Sequence, residues 1–160
     1  MYAAELLHKP IVREALASDV DRIYELIEVH MASGVLLPRS RDEIYDNLMK
    51  FSVVEVNEVV QGCAALEIFS QSLCEIRSLA VDNASTHRGL GGILVEALIE
   101  KARMLGLSRV MALTYVPEFF QSLGFHIVPK SIFPEKVWGV CIKCHKFTDC
   151  DEIAMQRNID

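Results

Sequence analysis

The feature that most constrains this chain lies at its centre. A β-rich run, residues 73–81, breaks at the polar segment 82–87, and Arg88-Gly89-Leu90-Gly91-Gly92 then opens a helical pattern that continues to Leu105. Leu90, Leu94, Ala97, Leu98 and Leu105 fall on one apolar stripe, and Gly106 is a natural stop. A strand that turns into a glycine-rich helix start presents backbone N–H groups with no partner inside the helix, at the end where the dipole favours anions. Glycines let a diphosphate come close to those amides, and His87 and Arg88 stand at the mouth of the same turn. The same glycines would equally serve a tight turn and close packing, so the pattern does not decide by itself. It is not the GxGxxG of a dinucleotide-binding βαβ unit, and no Gly-Lys-Ser/Thr of a P-loop is present.

The flanking segments set the fold class. Residues 11–15 read as a first short strand, and Ser18 as the N-cap of a helix carrying Val20, Ile23, Tyr24, Ile27 and Met31, ending near Gly34. Ser40 with Glu43 three residues later is a capping box for a second helix carrying Ile44, Leu48 and Phe51. Residues 52–56 and 59–69 are strand-like and are joined at Asn57-Glu58. After the central helix come a strand at 109–114, a short helix at 117–123 closed by Gly124, and a strand at 125–128. Residues 130–160 read as a mixed tail rich in Cys and Lys. The order, βααβββαβαβ, predicts one α+β or mixed α/β domain over residues 1–160.

Composition narrows the classes. A chain of 160 residues can bury one proper core without disulfides or metal. No apolar run approaches the roughly 20 residues that span a bilayer, and the first ten residues do not read as a signal peptide, so a soluble cytoplasmic protein is the expectation. The net charge of −6 argues against nucleic acid and leaves a small anionic ligand open. A disulfide framework is not expected from five cysteines in such a chain. Of these, Cys141, Cys144 and Cys150 lie close together with zinc-like spacing in the first pair, and His145 or Asp151 is available as a fourth ligand. A reduced tail packed on the domain accounts for the same spacing.

Leu79-Ala80-Val81 followed by Arg88-Gly89-Leu90-Gly91-Gly92 resembles the acetyl-CoA motif of the GNAT acetyltransferases. Phe119-Phe120-Gln121-Ser122-Leu123-Gly124-Phe125 resembles that family's second signature, an aromatic pair before Gly-Phe. The resemblance covers about residues 10–130. It implies a mostly antiparallel central sheet flanked by helices, with a V-shaped parting of strands at the acetyl site. It also implies acetyl-CoA as cosubstrate, held by Leu79, Ala80, Val81 and the loop from His87 through Ile93, with Phe119 and Phe120 packed nearby.

Three segments resemble short stand-alone N-acetylglutamate synthases, which acetylate the α-amine of L-glutamate at the head of arginine biosynthesis. They are residues 36–40 (Leu-Leu-Pro-Arg-Ser), residues 75–81 (Glu-Ile-Arg-Ser-Leu-Ala-Val), and the tail from Lys136-Val137-Trp138 to Cys150-Asp151-Glu152. The longer synthases carry an amino-acid-kinase-like domain that is not found in this sequence, which leaves feedback by arginine an open question. A small-molecule acceptor and a homodimer are compatible with this reading. Glutamate carries two carboxylates, which cationic groups recognise well. Arg39, Arg77 and Lys130 are the candidates, each also readable as a surface ion pair. Ser40 stands beside Arg39 but reads first as a helix cap. Arg77 on a strand would share a face with Glu75 and Leu79. Glu75 resembles the strand glutamate that acts as general base in histone-acetylating relatives, and pairing with a neighbour is its alternative. The tyrosine that many family members place in the second signature is replaced by phenylalanine, leaving Tyr115 or water to protonate the departing thiolate. No cysteine stands in a nucleophile setting, so direct attack of the amine is expected. A different amine acceptor, or a non-catalytic acetyl-CoA sensor, is the rival reading.

Overall fold

The computed structural model describes residues 9–32, 39–84, 89–133 and 152–160. Seven strands form one sheet in the order β1-β2-β3-β4-β5-β7-β6. They are β1 (Ile11–Glu14), β2 (Phe51–Val56), β3 (Val59–Ile68), β4 (Leu73–Val81), β5 (Arg109–Thr114), β6 (His126–Ile127) and β7 (Ile153–Asn158). The helices are α1 (Val20–Ala32), α2 (Arg41–Asp46), α3 (Leu90–Met104) and α4 (Pro117–Gln121). Among the described residues no helix is long and apolar enough to cross a membrane. Contacts divide the chain into two compact units, Met1–Leu66 with Arg77–Leu98, and Glu67–Ile76 with Ile99–Asp160.

In the first unit β1, β2 and β3 pair antiparallel. Asn57 and Glu58 both have positive φ, 53° and 65°. That pairing of left-handed residues matches the twist of the flanking strands, and it makes the tight hairpin read from the sequence. One face of these strands packs on α1: Val20, Ile23, Leu26 and Ile27 meet Phe51, Val53, Cys63, Ala65 and Ala80. The other face packs on α3, where Leu90 and Leu94 meet Val54 and Val56, with Leu79 and Val81 against them. The alternation of Val53 and Val54, and of Ala80 and Val81, between the two faces is the period-2 geometry of strands covered on both sides.

Gly62 lies where these layers come closest. A Cβ there would stand 3.0 Å from Val54 Cγ1, 3.1 Å from Leu94 Cδ1 and 3.2 Å from the Ala80 carbonyl oxygen. The register of β2 with β3 shifts at this place, between Val54 and Glu55.

Three readings are corrected here. Ser18 is not the cap of the first helix. A 3-10 turn (Ala17–Asp19) precedes α1, and Asp19 accepts the Leu16 N–H at 2.7 Å. Arg13 donates to the same carboxylate at 2.8 Å, which holds Asp19 below its ordinary pKa. The second helix opens at Ser40 as expected but stops at Asp46. Leu48–Lys50 form a 3-10 turn and Phe51 already belongs to β2, because its β partners outweigh the helical spacing.

The third correction concerns the tail. β7 is not peripheral: it pairs antiparallel with β5 along its whole length, from Arg109↔Asn158 to Thr114↔Ile153, and among the described residues β6 joins the sheet only through it. Ala154 and Met155 are buried, and Ala154 shares a core cluster with Leu73, Met111 and Phe133. Parallel pairing of β4 with β5 runs from Leu73↔Arg109 to Glu75↔Met111, while β4 continues to Val81 and β5 to Thr114. Gly106 and Gly124, at φ 83° and 86°, close α3 and α4 as read from the sequence.

The crowding at Gly62 gives a direct test. Two of the three neighbours are side chains packed in the core, and the third is backbone. We expect Gly62→Ala to destabilise the fold by about 1–3 kcal/mol, the usual cost of overpacking. Urea denaturation of the two proteins measures it, and an unchanged midpoint would refute the close approach.

Candidate active site

The glycine loop lies in the first unit. Leu79 and Val81 point into the α3 cluster, Ala80 is buried against α1, and α3 begins at Leu90. Gly89 has φ 71°, a left-handed conformation that a side chain would strain, and its carbonyl accepts the Ile93 N–H at 3.1 Å as the first bond of the helix. The amides of Leu90, Gly91 and Gly92 therefore precede the internal ladder of the helix. A Cβ built on Gly89 meets nothing within 4 Å, so the loop is open on that side. Leu90 is buried and anchors the turn, whereas Gly91 and Gly92 are partly exposed. An anionic diphosphate suits this arrangement on charge and on steric grounds. His87 and Arg88 lie outside the described residues.

Arg39 and Ser40 belong to the same unit. The Arg39 guanidinium stands 5.5 Å from the centre of the buried Phe51 ring, a cation–π contact. Ser40 is a cap: its Oγ accepts the Glu43 N–H at 3.1 Å and donates to Glu43 Oε1 at 3.2 Å. Arg77 sits on β4, half-buried. Ser78, between Arg77 and Leu79, has φ 54°, a break in the regular geometry of the strand. Nothing in a Leu-Ala-Val run signals that break. The Cys63 thiol donates to the Ser78 carbonyl at 3.6 Å, on the side opposite α3.

Sequence reading also missed what holds the exit of β4. The Val81 carbonyl accepts from His30 Nε2 at 3.0 Å. The Asp82 N–H donates to the Gln61 carbonyl at 2.8 Å. Asp82 Oδ2 accepts from Arg22 Nη2 at 2.8 Å, and Oδ1 accepts the Ala84 N–H at 2.9 Å. Arg22 also donates through Nε to the Val60 carbonyl at 2.9 Å. The guanidinium of Arg22 and the Ala84 amide hold Asp82 below its ordinary pKa. The only sequence signal was the polar residue directly after the strand, which read as a turn.

The second unit holds the acid–base candidates. Glu75 is 3% exposed on β4, level with the buried Met111. So deep a burial is uncommon for a glutamate. Tyr115 follows β5, half-buried. Phe119 and Phe120 stack edge to face at 5.0 Å, and Phe120 continues to Phe125 at 5.2 Å. Phe120 is therefore a core residue of its turn, and Phe119 the more exposed of the pair. Lys130 opens a 3-10 turn (Lys130–Ile132) and is half-buried.

Burial pushes the thiols of Cys63 and Cys74 up to about 12, so neither is a thiolate near neutrality. Cys141, Cys144 and Cys150 lie outside the described residues. Among the described residues no group of three or more His, Cys, Asp or Glu could hold a metal ion, so zinc gains no support.

Comparison with known proteins agrees with this geometry. Residues 15–126 match the acetyltransferase (GNAT) family. An uncharacterized N-acetyltransferase of Chlorobaculum tepidum is 34% identical over 92% of this chain and 96% of its own length. An amino-acid acetyltransferase of Mycobacterium tuberculosis is 39% identical over 73% of this chain and 68% of its own. The N-acetylglutamate synthase of Neisseria gonorrhoeae, solved with coenzyme A and N-acetyl-glutamate, superposes with a TM-score of 0.85 at 29% identity. That match covers 95% of this chain, which spans 35% of the synthase. Glycine loop, strand order and family profile lead to one assignment: the chain belongs to the GNAT family of N-acetyltransferases.

Proposed function

We propose that the protein transfers the acetyl group of acetyl-CoA to the α-amine of L-glutamate, the reaction of N-acetylglutamate synthases at the head of arginine biosynthesis. The observation that carries the reading is the likeness, over nearly the whole chain, to the gonococcal synthase whose structure holds coenzyme A and N-acetyl-glutamate. In this reading the amides at the start of α3 and the residues Leu79, Ala80 and Val81 of β4 hold the cofactor, which supplies an activated acetyl thioester. Glu75 takes the proton from the acceptor ammonium, directly or through water. The free amine then attacks the thioester carbonyl; as the C–S bond breaks the thiolate takes a proton from Tyr115 or water, and the proton that the nitrogen sheds on becoming an amide replaces it. Arg39, Arg77 and Lys130 supply positive charge for the two carboxylates of the acceptor. The cytoplasm, where glutamate and acetyl-CoA meet, is the matching location.

Cofactor binding is tested at Gly91. A Gly91→Val side chain would stand between the diphosphate and the helix amides. Calorimetry should show coenzyme A binding weakened roughly tenfold or more, the worth of one or more hydrogen bonds to a charged group. Unchanged affinity would move the cofactor elsewhere.

A thiol-release assay across the common amino acids tests the acceptor. Glutamate should be turned over best, and Arg77→Ala should raise its KM by roughly tenfold. Far better turnover of a neutral or basic amine would replace glutamate. Cofactor binding without acceptor-dependent thiol release would make the protein a sensor.

Glu75→Gln keeps the shape but cannot accept a proton. It should lower kcat by roughly 10²–10⁴-fold, the usual range for a general base. Coenzyme A affinity should hold, and the defect should shrink as rising pH delivers more free amine. Near-wild-type kcat at neutral pH would make Glu75 structural.

A further inference from the structure

We propose that Arg22 and His30 of α1, acting through Asp82 and Val81, are positioning residues for the cofactor loop. The inference rests on the reading of the α3 start as the acetyl-CoA site. Four bonds pin the chain at the exit of β4. Two come from α1, to the Val81 carbonyl and the Asp82 carboxylate. One ties the Asp82 N–H to β3 at Gln61, and one folds the Ala84 N–H back onto Asp82. Only four residues separate Ala84 from Gly89, where the helix that receives the diphosphate begins.

A fold does not need this pair to bury its core. The packing of α1 on the sheet is supplied by Val20, Ile23, Leu26 and Ile27, and the side chains of Arg22 and Asp82 are 27% and 29% exposed. A surface ion pair in such a place contributes little to stability. Its geometry is nevertheless specific. Arg22 uses separate nitrogens for Asp82, the Val60 carbonyl and Glu25, so its fork is fixed on three sides. Asp82 in turn spends one oxygen on the fork and the other on the loop backbone. The pair thus fixes the end of β4, from Val81 to Ala84, against α1 and β3. Small displacements of such a segment are costly for binding because the amide donors must converge on one anion.

The test compares Asp82→Asn, Arg22→Ala and Arg22→Lys in the full chain. Coenzyme A affinity is measured by calorimetry, acetyl-CoA KM and kcat by thiol release, and folding by thermal melting. Asp82→Asn and Arg22→Ala should each weaken coenzyme A about tenfold and raise the acetyl-CoA KM by the same factor, the loss expected for one charge-assisted hydrogen bond. Turnover at saturating acetyl-CoA should stay within about twofold, since the reacting groups are untouched. Arg22→Lys keeps the charge but not the fork and should fall between Arg22→Ala and wild type. If Arg22→Ala does not fold, the near-isosteric Asp82→Asn carries the test. Unchanged affinity in folded Asp82→Asn, beside weakened binding in Gly91→Val, would overturn the positioning role alone. Unchanged affinity in Gly91→Val would overturn the site reading, and this role with it.

Discussion

Leu90 and Leu94 packing on Val54, Val56, Leu79 and Val81 is the contact on which the rest depends. It brings the first turn of α3 down onto the end of β4, so that a helix N-terminus and a strand terminus are fixed with respect to each other. Leu90 is 1% exposed although it stands second in a glycine-rich sequence. One apolar side chain thus anchors a turn whose other residues are small enough to leave the backbone accessible. Gly62 belongs to the same arrangement from below, because only a residue without Cβ lets β3 come this close to Leu94 and the Ala80 carbonyl.

The strand carrying these contacts also changes character along its length. Its first half is buried, from Leu73 through Ile76, and includes a carboxylate. Its second half is half-buried apart from Ala80, with Ser78 in a left-handed conformation. Backbone that leaves regular strand geometry no longer commits every polar group to a ladder, and it persists only where the surroundings fix it. Here the surroundings are Cys63 beneath, α3 on one face and the α1 bonds at the exit. Acid–base and anion-binding candidates therefore occupy different segments of one strand.

Most of the architecture was legible because it rests on local rules. Asn57-Glu58 made its hairpin, Ser40 with Glu43 made its capping box, and the boundaries of β4 and β5 fell where the pattern placed them. What escaped depends on partners distant in sequence. Residues 153–158 contain a single β-branched side chain, and their strand exists because β5 and β6 flank it. Phe51 continues a helical spacing but finds a strand partner in Ala65. Among the candidate site residues, the glycine loop and Glu75 are candidates on their neighbours in the chain alone. Arg22 and Asp82 are 60 residues apart and meet only in the fold. Ser78 looks like any other strand residue until its φ is known.

The place of β7 bears on how the protein is made. A ribosome releases residues 126–127 well before residues 153–158, yet among the described residues β6 pairs with β7 alone. Until then β6 lacks the strand it pairs with in the fold, and the edge of β5 that β7 covers is open. Pairings of such long sequence separation form late and slowly, because the intervening loop must be closed before any contact repays the lost entropy. Until residues 153–158 emerge, the nascent chain therefore carries an exposed sheet edge, the state in which a β protein is most open to wrong pairing and to chaperones.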